Sequence, residues 1–172
     1  THTMAIVVKK FGGTSVGSIE RIKNVAALIK KYKSDHPDDQ IVVVVSAMAG
    51  ETNRLVELAK SCVSKPTPRE MDVLLATGEQ VSISLTAMAL IEAGLKARSM
   101  DAQQARISTD QRHTNAQILD IDTHQLKQSL AAGEIPVVAG FQGVDNDGNV
   151  TTLGRGGSDI TAVAIGAALG CA

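Results

Sequence analysis

Apolar residues along this chain form short continuous runs that alternate with longer stretches of three- and four-residue spacing. Continuous apolar runs, which are typical of strands buried on both faces of a parallel sheet, occupy residues 5–8, 41–45 and 135–139. Residues 97–100 and 106–109 are also expected to be short strands. Helical spacing occurs over residues 19–32, 54–63, 69–92, 123–132 and 160–169. Strands that alternate with helices in this way predict one layered α/β domain.

The breaks between these segments predict where the elements begin and end. Ser18 is placed to cap the first helix, and residues 36–39 (HPDD) end it. Residues 46–53 are expected to be a small-residue loop, and residues 76–79 to kink or interrupt the long third helix. Gly133 ends the fourth helix, and residues 140–153 are expected to form a β-hairpin around an Asp-Gly turn.

The last helix is apolar on nearly all sides, so we expect it to be buried. The chain ends just after Gly170 caps this helix, and no strand follows in the printed sequence. We therefore expect residues 4–172 to be part of a domain truncated on its C-terminal side.

Composition excludes several classes of function. The 17 Lys and Arg residues against 18 Asp and Glu leave a formal charge of −1, which argues against nucleic-acid binders and polybasic membrane-surface proteins. The 2 cysteines and 4 histidines show no metal-ligand spacing, so neither a metal site nor a disulfide framework is expected. No signal peptide is evident and no run approaches the ~20 apolar residues of a membrane span, so we expect a cytoplasmic protein.

Two glycine-rich segments follow strands or precede helices, which is where anions bind. Residues 10–15 (KFGGTS) combine a lysine with glycine amides before a helix, which suits a phosphate. The same residues fit a simple tight turn equally well. Residues 154–159 (GRGGSD) open the last helix and offer the planar guanidinium of Arg155 to a carboxylate or phosphate. Two such sites at the carboxyl ends of strands favour ligand binding over simple capping.

Polar residues elsewhere are weaker candidates. Ser46, Thr52 and Asn53 follow the valine-rich strand and suit either a polar substrate or loop capping. Glu79 lies in an otherwise apolar stretch, and the residues alone leave an ammonium partner and simple surface exposure equally open.

Five segments together resemble aspartate kinases, in the order found in that family. They are residues 10–16 (KFGGTSV), 46–53 (SAMAGETN), 77–79 (TGE), 140–143 (GFQG) and 152–159 (TLGRGGSD). The resemblance covers nearly the whole chain from Met4, and residues 71–112 look most like the bacterial form that has separate catalytic and regulatory chains.

This resemblance implies a three-layer α/β/α sandwich with a mostly parallel central sheet. The implied reaction moves the γ-phosphoryl group of ATP, bound with Mg²⁺, to the side-chain carboxylate of L-aspartate. The product, 4-phospho-L-aspartate, enters lysine, threonine and methionine biosynthesis. An aspartate carboxyl of pKa ~3.9 is already an anion at neutral pH and needs no general base, so the enzyme's task is charge neutralisation.

The resemblance also implies roles for individual residues. Lys10 would be catalytic, with Asp159 orienting it. The phosphate loop would be formed by Lys10, Phe11, Gly12, Gly13 and Ser15. Glu79 would bind the substrate ammonium and Arg155 its α-carboxylate. The remaining substrate contacts would come from Ser46, Thr52, Phe141, Gly156, Gly157 and Ser158.

Kinases of this family continue beyond the last helix with the adenine and ribose site, a further lysine, and regulatory domains. We therefore expect this chain to be inactive alone, and the enzyme to be a homo-oligomer that carries regulatory domains or a regulatory chain. Another amino-acid kinase, acting on glutamate or acetylglutamate, and a non-catalytic assembly module of the same fold are the alternatives.

Overall fold

The structure, a computed structural model, describes residues 5–171; Met4 and Ala172, the ends of the predicted domain, lie outside the described residues. Its strands are β1 (Ile6–Phe11), β2 (Gln40–Val45), β3 (Ala97–Met100), β4 (Ile107–Thr109), β5 (Ile118–Ile121), β6 (Ile135–Ala139), β7 (Gln142–Val144) and β8 (Val150–Thr152). Its helices are α1 (Ile19–Asp35), α2 (Glu51–Cys62), α3 (Pro68–Glu92), α4 (His124–Ala131) and α5 (Gly157–Ala168).

The central sheet has the strand order β1-β2-β6-β3, and all its pairings are parallel. Side chains of β2 alternate between its two faces. Ile41, Val43 and Val45 pack with α1 and α3, whereas Val42 and Val44 pack with α4 and α5. Helices therefore cover both faces, and the predicted three-layer α/β/α sandwich is confirmed.

A second, smaller sheet has the order β5-β4-β7-β8 and is mostly antiparallel. The predicted hairpin over residues 140–153 is present as β7 and β8, and Gly148 adopts a left-handed φ of 84° in its turn. Strand β5 was not predicted, because Asp120 interrupts the apolar residues of the segment 118–121.

Helices α2 and α3 differ from the prediction in ways that affect the candidate site. Helix α2 begins at Glu51, so Thr52 and Asn53 lie in its first turn and not in a loop. Helix α3 runs without a break through residues 76–79, where an interruption was expected. A Cβ atom at Gly78 would lie 3.0 Å from Ala47 Cβ, so this glycine permits close packing and does not end the helix.

Helix α5 was expected to be buried on nearly all sides, but one of its faces is exposed. Thr161 and Ile165 face the interior, while Val163 is 72% exposed and Ile160 is 47% exposed. The composition of the helix did not distinguish these faces, since both are apolar.

Helix α3 also corrects the expectation that no segment is long and apolar enough to cross a membrane. It has 25 residues, and its most apolar window has a mean hydropathy of 1.4, with half of that window buried in the domain. Because it packs on the sheet and buries Asp72 and Glu79, it has the character of a core helix.

Candidate active site

A cavity of about 290 Å³ opens at the carboxyl ends of β1, β2 and β6, the edge where ligands bind in parallel sheets. Its walls are formed by the segments that leave these strands and by the helices that face them. The lining residues are Gly13, Ser46, Ala47, Met48, Ala49, Gly50, Thr52, Asn53, Glu79, Phe141 and Ser158.

The loop after β1 supplies main-chain donors on one side. Ser15 and Val16 donate their N–H groups to Gly12 O, which closes the turn that leads towards α1. Within residues 5–171, no main-chain carbonyl accepts a hydrogen bond from the N–H of Gly12 or Gly13. A Cβ at Gly13 would lie 3.1 Å from Ala47 O, so only glycine lets this loop approach the β2–α2 segment so closely.

Lys10, near the end of β1, forms an ion pair with Asp159 in the first turn of α5. The Nζ–Oδ1 distance is 2.8 Å, and the two side chains are 30% and 70% exposed. Lys10 Nζ also lies 3.4 Å from where a Cβ would sit on Gly12, so the ammonium stands directly over the glycine loop. The structure thus brings together Lys10, Asp159, Gly12 and Gly13.

The segment that opens α5 is held against β2 and β6. Ser46 Oγ donates to Ser158 Oγ at 2.7 Å. A Cβ at Gly140 would lie 2.8 Å from Ser158 Oγ, so the chain after β6 approaches the helix start closely. Gly156, the residue before α5, has a φ of 77°, which a glycine adopts without strain.

Glu79 forms the buried wall of the cavity. Only 1% of the residue is exposed, and Gln142 Nε2 donates to its Oε1 at 3.3 Å. Burial raises the pKa of the Glu79 carboxyl to about 8, although the hydrogen bond from Gln142 acts in the opposite direction. A positive charge placed beside this carboxyl would favour its ionised form and lower its pKa.

Phe141 lines the cavity from an unusual backbone conformation. Its φ of 73° lies in the left-handed region, which a bulky residue rarely adopts. Its N–H donates to Thr161 Oγ1 at 3.2 Å and its carbonyl accepts from Leu153 N at 2.7 Å. Strain of this kind is characteristic of functional sites, where the surrounding structure maintains it.

Other sequence candidates take different positions. Thr52 lines the cavity from α2, whereas Arg155 is exposed and lies outside the lining set. Ser15 and Phe11 are half-buried beside the cavity, and Gly157 lies within α5 under Phe141, where a Cβ would be 2.8 Å from Phe141 Cδ2.

Gln142 was missed as a site residue, although it lies within the segment at residues 140–143 that carried the resemblance. Met48 was also missed, since an apolar side chain in a loop gives no chemical signal. Across residues 5–171, no group of three or more His, Cys, Asp or Glu side chains is placed to hold a metal ion.

A buried polar cluster lies two helical turns from Glu79. Asp72 is fully buried and accepts hydrogen bonds from Thr152 Oγ1 at 2.6 Å and Thr152 N at 3.0 Å. His113 Nδ1 lies 2.8 Å from the same carboxylate, and Thr114 N donates to both of its oxygens at 3.1 Å. This cluster ties α3 to the β7–β8 hairpin and to the segment after β4.

Comparison with known proteins agrees with this fold. The model of the amino acid kinase family matches residues 5–172, so the chain belongs to that family. An aspartate kinase of Stutzerimonas stutzeri is 58% identical over 166 residues, which make up 96% of this chain and 40% of that protein. The chain thus spans about 40% of the length of the curated relatives it matches.

Two solved structures are similar over nearly the whole chain. Aspartate kinase from Synechocystis is 46% identical with a TM-score of 0.82, and the match covers 97% of this chain and 27% of that one. Aspartokinase III of E. coli, in complex with aspartate and ADP, is 28% identical with a TM-score of 0.84. That second match covers 96% of this chain and 47% of the E. coli protein.

Proposed function

We propose that these residues form the amino-acid pocket and the first phosphate loop of an aspartate kinase. The reaction transfers the γ-phosphoryl group of ATP to the side-chain carboxylate of L-aspartate and gives 4-phospho-L-aspartate. The observation that carries the proposal is the pairing of two features in one cavity. A buried carboxyl, Glu79, faces it from α3, and a glycine loop that contains Gly13 borders it from β1.

Glu79 suits the ammonium group of an amino acid. An arriving ammonium replaces the lost hydration of the carboxyl and lowers its pKa from about 8, so the pair forms as the carboxyl ionises. Ser46, Thr52 and Ser158 supply hydroxyl groups for the other polar atoms of the substrate. Arg155 would bind the α-carboxylate when its exposed side chain folds over the opening.

Lys10 is proposed as the catalytic cation. Because the attacking carboxylate is already ionised, the main barrier is the repulsion between two anions and the charge that spreads over the transferred group. The Lys10 ammonium lies over the glycine loop and is partly exposed, and Asp159 holds it at 2.8 Å. Asp159 is therefore a positioning residue for Lys10.

The loop fits the phosphates of a nucleotide. The N–H groups of Gly12 and Gly13 donate to no main-chain carbonyl within residues 5–171, and the lysine ammonium lies beside them. Bound ATP would supply the phosphoryl group, with Mg²⁺ neutralising part of its charge. Phe11 and Ser15 border the same loop.

The match to about 40% of the relatives' length bears on what this chain does alone. We propose that the adenine and ribose are bound by residues that the relatives have beyond the matched part. Residues 1–172 would then not catalyse the reaction by themselves. We further propose a cytoplasmic homo-oligomer that works with regulatory domains or a regulatory chain.

Substrate selection tests the proposal. Phosphorylation of L-aspartate, L-glutamate and N-acetyl-L-glutamate by the full-length protein is followed as ADP release. We expect turnover with L-aspartate, and little with N-acetyl-L-glutamate, whose blocked amine cannot pair with Glu79. A preference for either glutamate compound would replace this proposal with another amino-acid kinase. Absence of turnover with all three would support a non-catalytic module.

A further inference from the structure

Gln142, the first residue of β7, contacts the cavity only through Glu79. It is 1% exposed, and its Nε2 donates to Glu79 Oε1 at 3.3 Å and to the main-chain carbonyl of Ala76 at 3.1 Å. Ala76 and Glu79 are three residues apart on α3 and share one face of the helix. One amide group thus bridges the helix backbone and the carboxyl.

The orientation of this amide follows from its partners. A main-chain carbonyl only accepts hydrogen bonds, so the nitrogen and not the oxygen of Gln142 must face Ala76. The second N–H of the same nitrogen is then directed at Glu79. A donor aimed at a carboxyl favours its ionised form and restricts its rotation.

The position of Gln142 is itself determined by the hairpin. Gln142 pairs directly with Thr152 across β7 and β8. Thr152 donates both its N–H and its hydroxyl to the carboxylate of Asp72. Asp72 lies seven residues before Glu79 on α3. Two buried contacts, Thr152 with Asp72 and Gln142 with Glu79, therefore connect the same strand pair to the same helix face.

The strands around Glu79 contribute no charge to it. Strands β2, β6, β7 and β8 contain no ionisable residue, and Arg98 on β3 is paired with Glu134 at 3.2 Å. Charged side chains on α1 are exposed, except for half-buried Lys33, which donates to the carbonyl of Pro37 at 2.9 Å.

Charged side chains on α2 and β1 that lie beside the cavity or beside α3 have partners of their own. Glu51 on α2 approaches α3 beside Gly78 and pairs with Arg54 at 2.6 Å. Lys10 on β1 pairs with Asp159 on α5. On α3 itself, the buried Asp72 is occupied by His113, Thr114 and Thr152. Gln142 is thus the polar side chain that hydrogen-bonds the Glu79 carboxyl.

We propose that Gln142 is a positioning residue that aims the Glu79 carboxylate at the substrate ammonium and sets the pH range over which the amino acid binds. This inference rests on the proposed function. Aspartate binding should strengthen as pH rises through about 8, because Glu79 must lose its proton to pair with an ammonium. Loss of the Gln142 donor makes that proton harder to remove and moves the transition to higher pH.

The test measures kcat and the KM for L-aspartate of the full-length protein between pH 6 and pH 9, at saturating ATP. Q142M keeps nearly the same shape but has no N–H donor. We expect its KM at neutral pH to rise about tenfold, with kcat within about twofold of the wild type. The midpoint of its KM profile should move upward by roughly one pH unit. Q142H keeps one ring N–H and should lie between the two.

Thr109→Val is the matched control, because it removes a buried hydrogen bond, Thr109 Oγ1 with Thr151 Oγ1 at 2.6 Å, that involves neither Gln142 nor Glu79. It should lower the Tm and leave the KM profile in place. In an E79Q background, Q142M should add little. An unshifted profile in Q142M, or in Q142H should Q142M not fold, would overturn the inference while the kinase activity stands. A wild-type protein without aspartate phosphorylation would overturn both.

Discussion

The β1 wall of the cavity and its α3 wall are built from different chemical groups. On the β1 side, main-chain amides of Gly12 and Gly13 lie beside an ion pair whose members are 30% and 70% exposed. On the α3 side, Glu79 and Gln142 are both 1% exposed and are bonded to one another. One wall remains hydrated, while the other has lost water on folding.

This difference separates two ways of handling charge. An exposed ion pair contributes little to stability, so Lys10 can exchange Asp159 for a phosphate at small cost. A buried carboxyl is destabilising until a cation reaches it, so Glu79 favours a substrate that brings one. The comparison predicts that mutations on the β1 side change catalysis alone, whereas mutations on the α3 side change stability, pH dependence and substrate binding.

The largest effect is expected for Asp72→Ala, behind the α3 wall. It would leave Thr152, Thr114 and His113 without their shared buried acceptor and lower the free energy of unfolding by about 3–5 kcal/mol. Urea denaturation of the full-length protein measures this loss. D72N, which keeps the volume and one acceptor oxygen, should lose less. A loss below about 1 kcal/mol in D72A would mean that the hydrogen bonds of this cluster matter little.

Lys10→Ala on the β1 side should do the reverse. We expect kcat to fall by about 10²–10³-fold, because this variant lacks the cation that we propose neutralises the transferred group. Stability should change by less than about 1 kcal/mol, and binding of L-aspartate should largely persist. Steady-state kinetics and calorimetry measure the two effects. Turnover that survives in this variant would remove Lys10 from the catalytic role.

Glu79→Gln combines a binding effect with a pH effect. Its KM for L-aspartate should rise about a hundredfold, since a neutral amide replaces the partner of the ammonium. Burial raises the pKa of the Glu79 carboxyl from 4.5 in an unfolded chain to about 8 in the folded wild type. Between these two pH values the native state therefore holds a proton that the unfolded state releases. Wild-type stability should therefore fall as pH rises from about 5 to about 8.5.

That contribution to stability amounts to a few kcal/mol and should be missing from E79Q. Thermal unfolding at several pH values, compared between the two proteins, measures it. Parallel curves for the wild type and E79Q would show that the Glu79 carboxyl ionises in both states alike.

The smallest effect is expected outside both walls, at Ser158 in the first turn of α5. S158A removes the acceptor of the Ser46 hydroxyl, and we expect about 1 kcal/mol of destabilisation with a KM increase of a few fold. S84A, on the outward side of α3, where the hydroxyl donates to Gln80 O, is the control and should alter neither quantity. A loss of activity in S158A comparable to that of K10A would give this serine a larger role than a lining group.

Much of the fold was predictable from local patterns. β-branched runs place β1, β2 and β6 in the central sheet, although β1 extends to Phe11, past the run that predicted it. Ser18 caps α1 as expected, accepting from Arg21 N at 3.2 Å. These predictions succeed because an apolar run and a capping side chain are both visible within a few neighbouring residues.

Other features depended on residues distant in sequence. Gly78 suggested a break in α3, but its role is to let Ala47 approach. From the residues alone, Glu79 could be a surface residue or a site residue, and its burial beneath the hairpin became visible only in the structure. Arg155 was expected to line the cavity, but in the structure it lies outside the lining residues. Burial and close approach are properties of two segments together, so no local pattern reports them.

By itself, the sequence determined a layered α/β domain with glycine loops at the carboxyl ends of its strands, and its motifs carried the resemblance to aspartate kinases. Only the tertiary structure decided that Lys10 meets Asp159 at 2.8 Å, and that Gln142 reaches Glu79 across 63 residues of chain. The physical reason is that desolvation and hydrogen-bond geometry arise when distant segments pack, and these two effects decide which candidate residues face the same cavity.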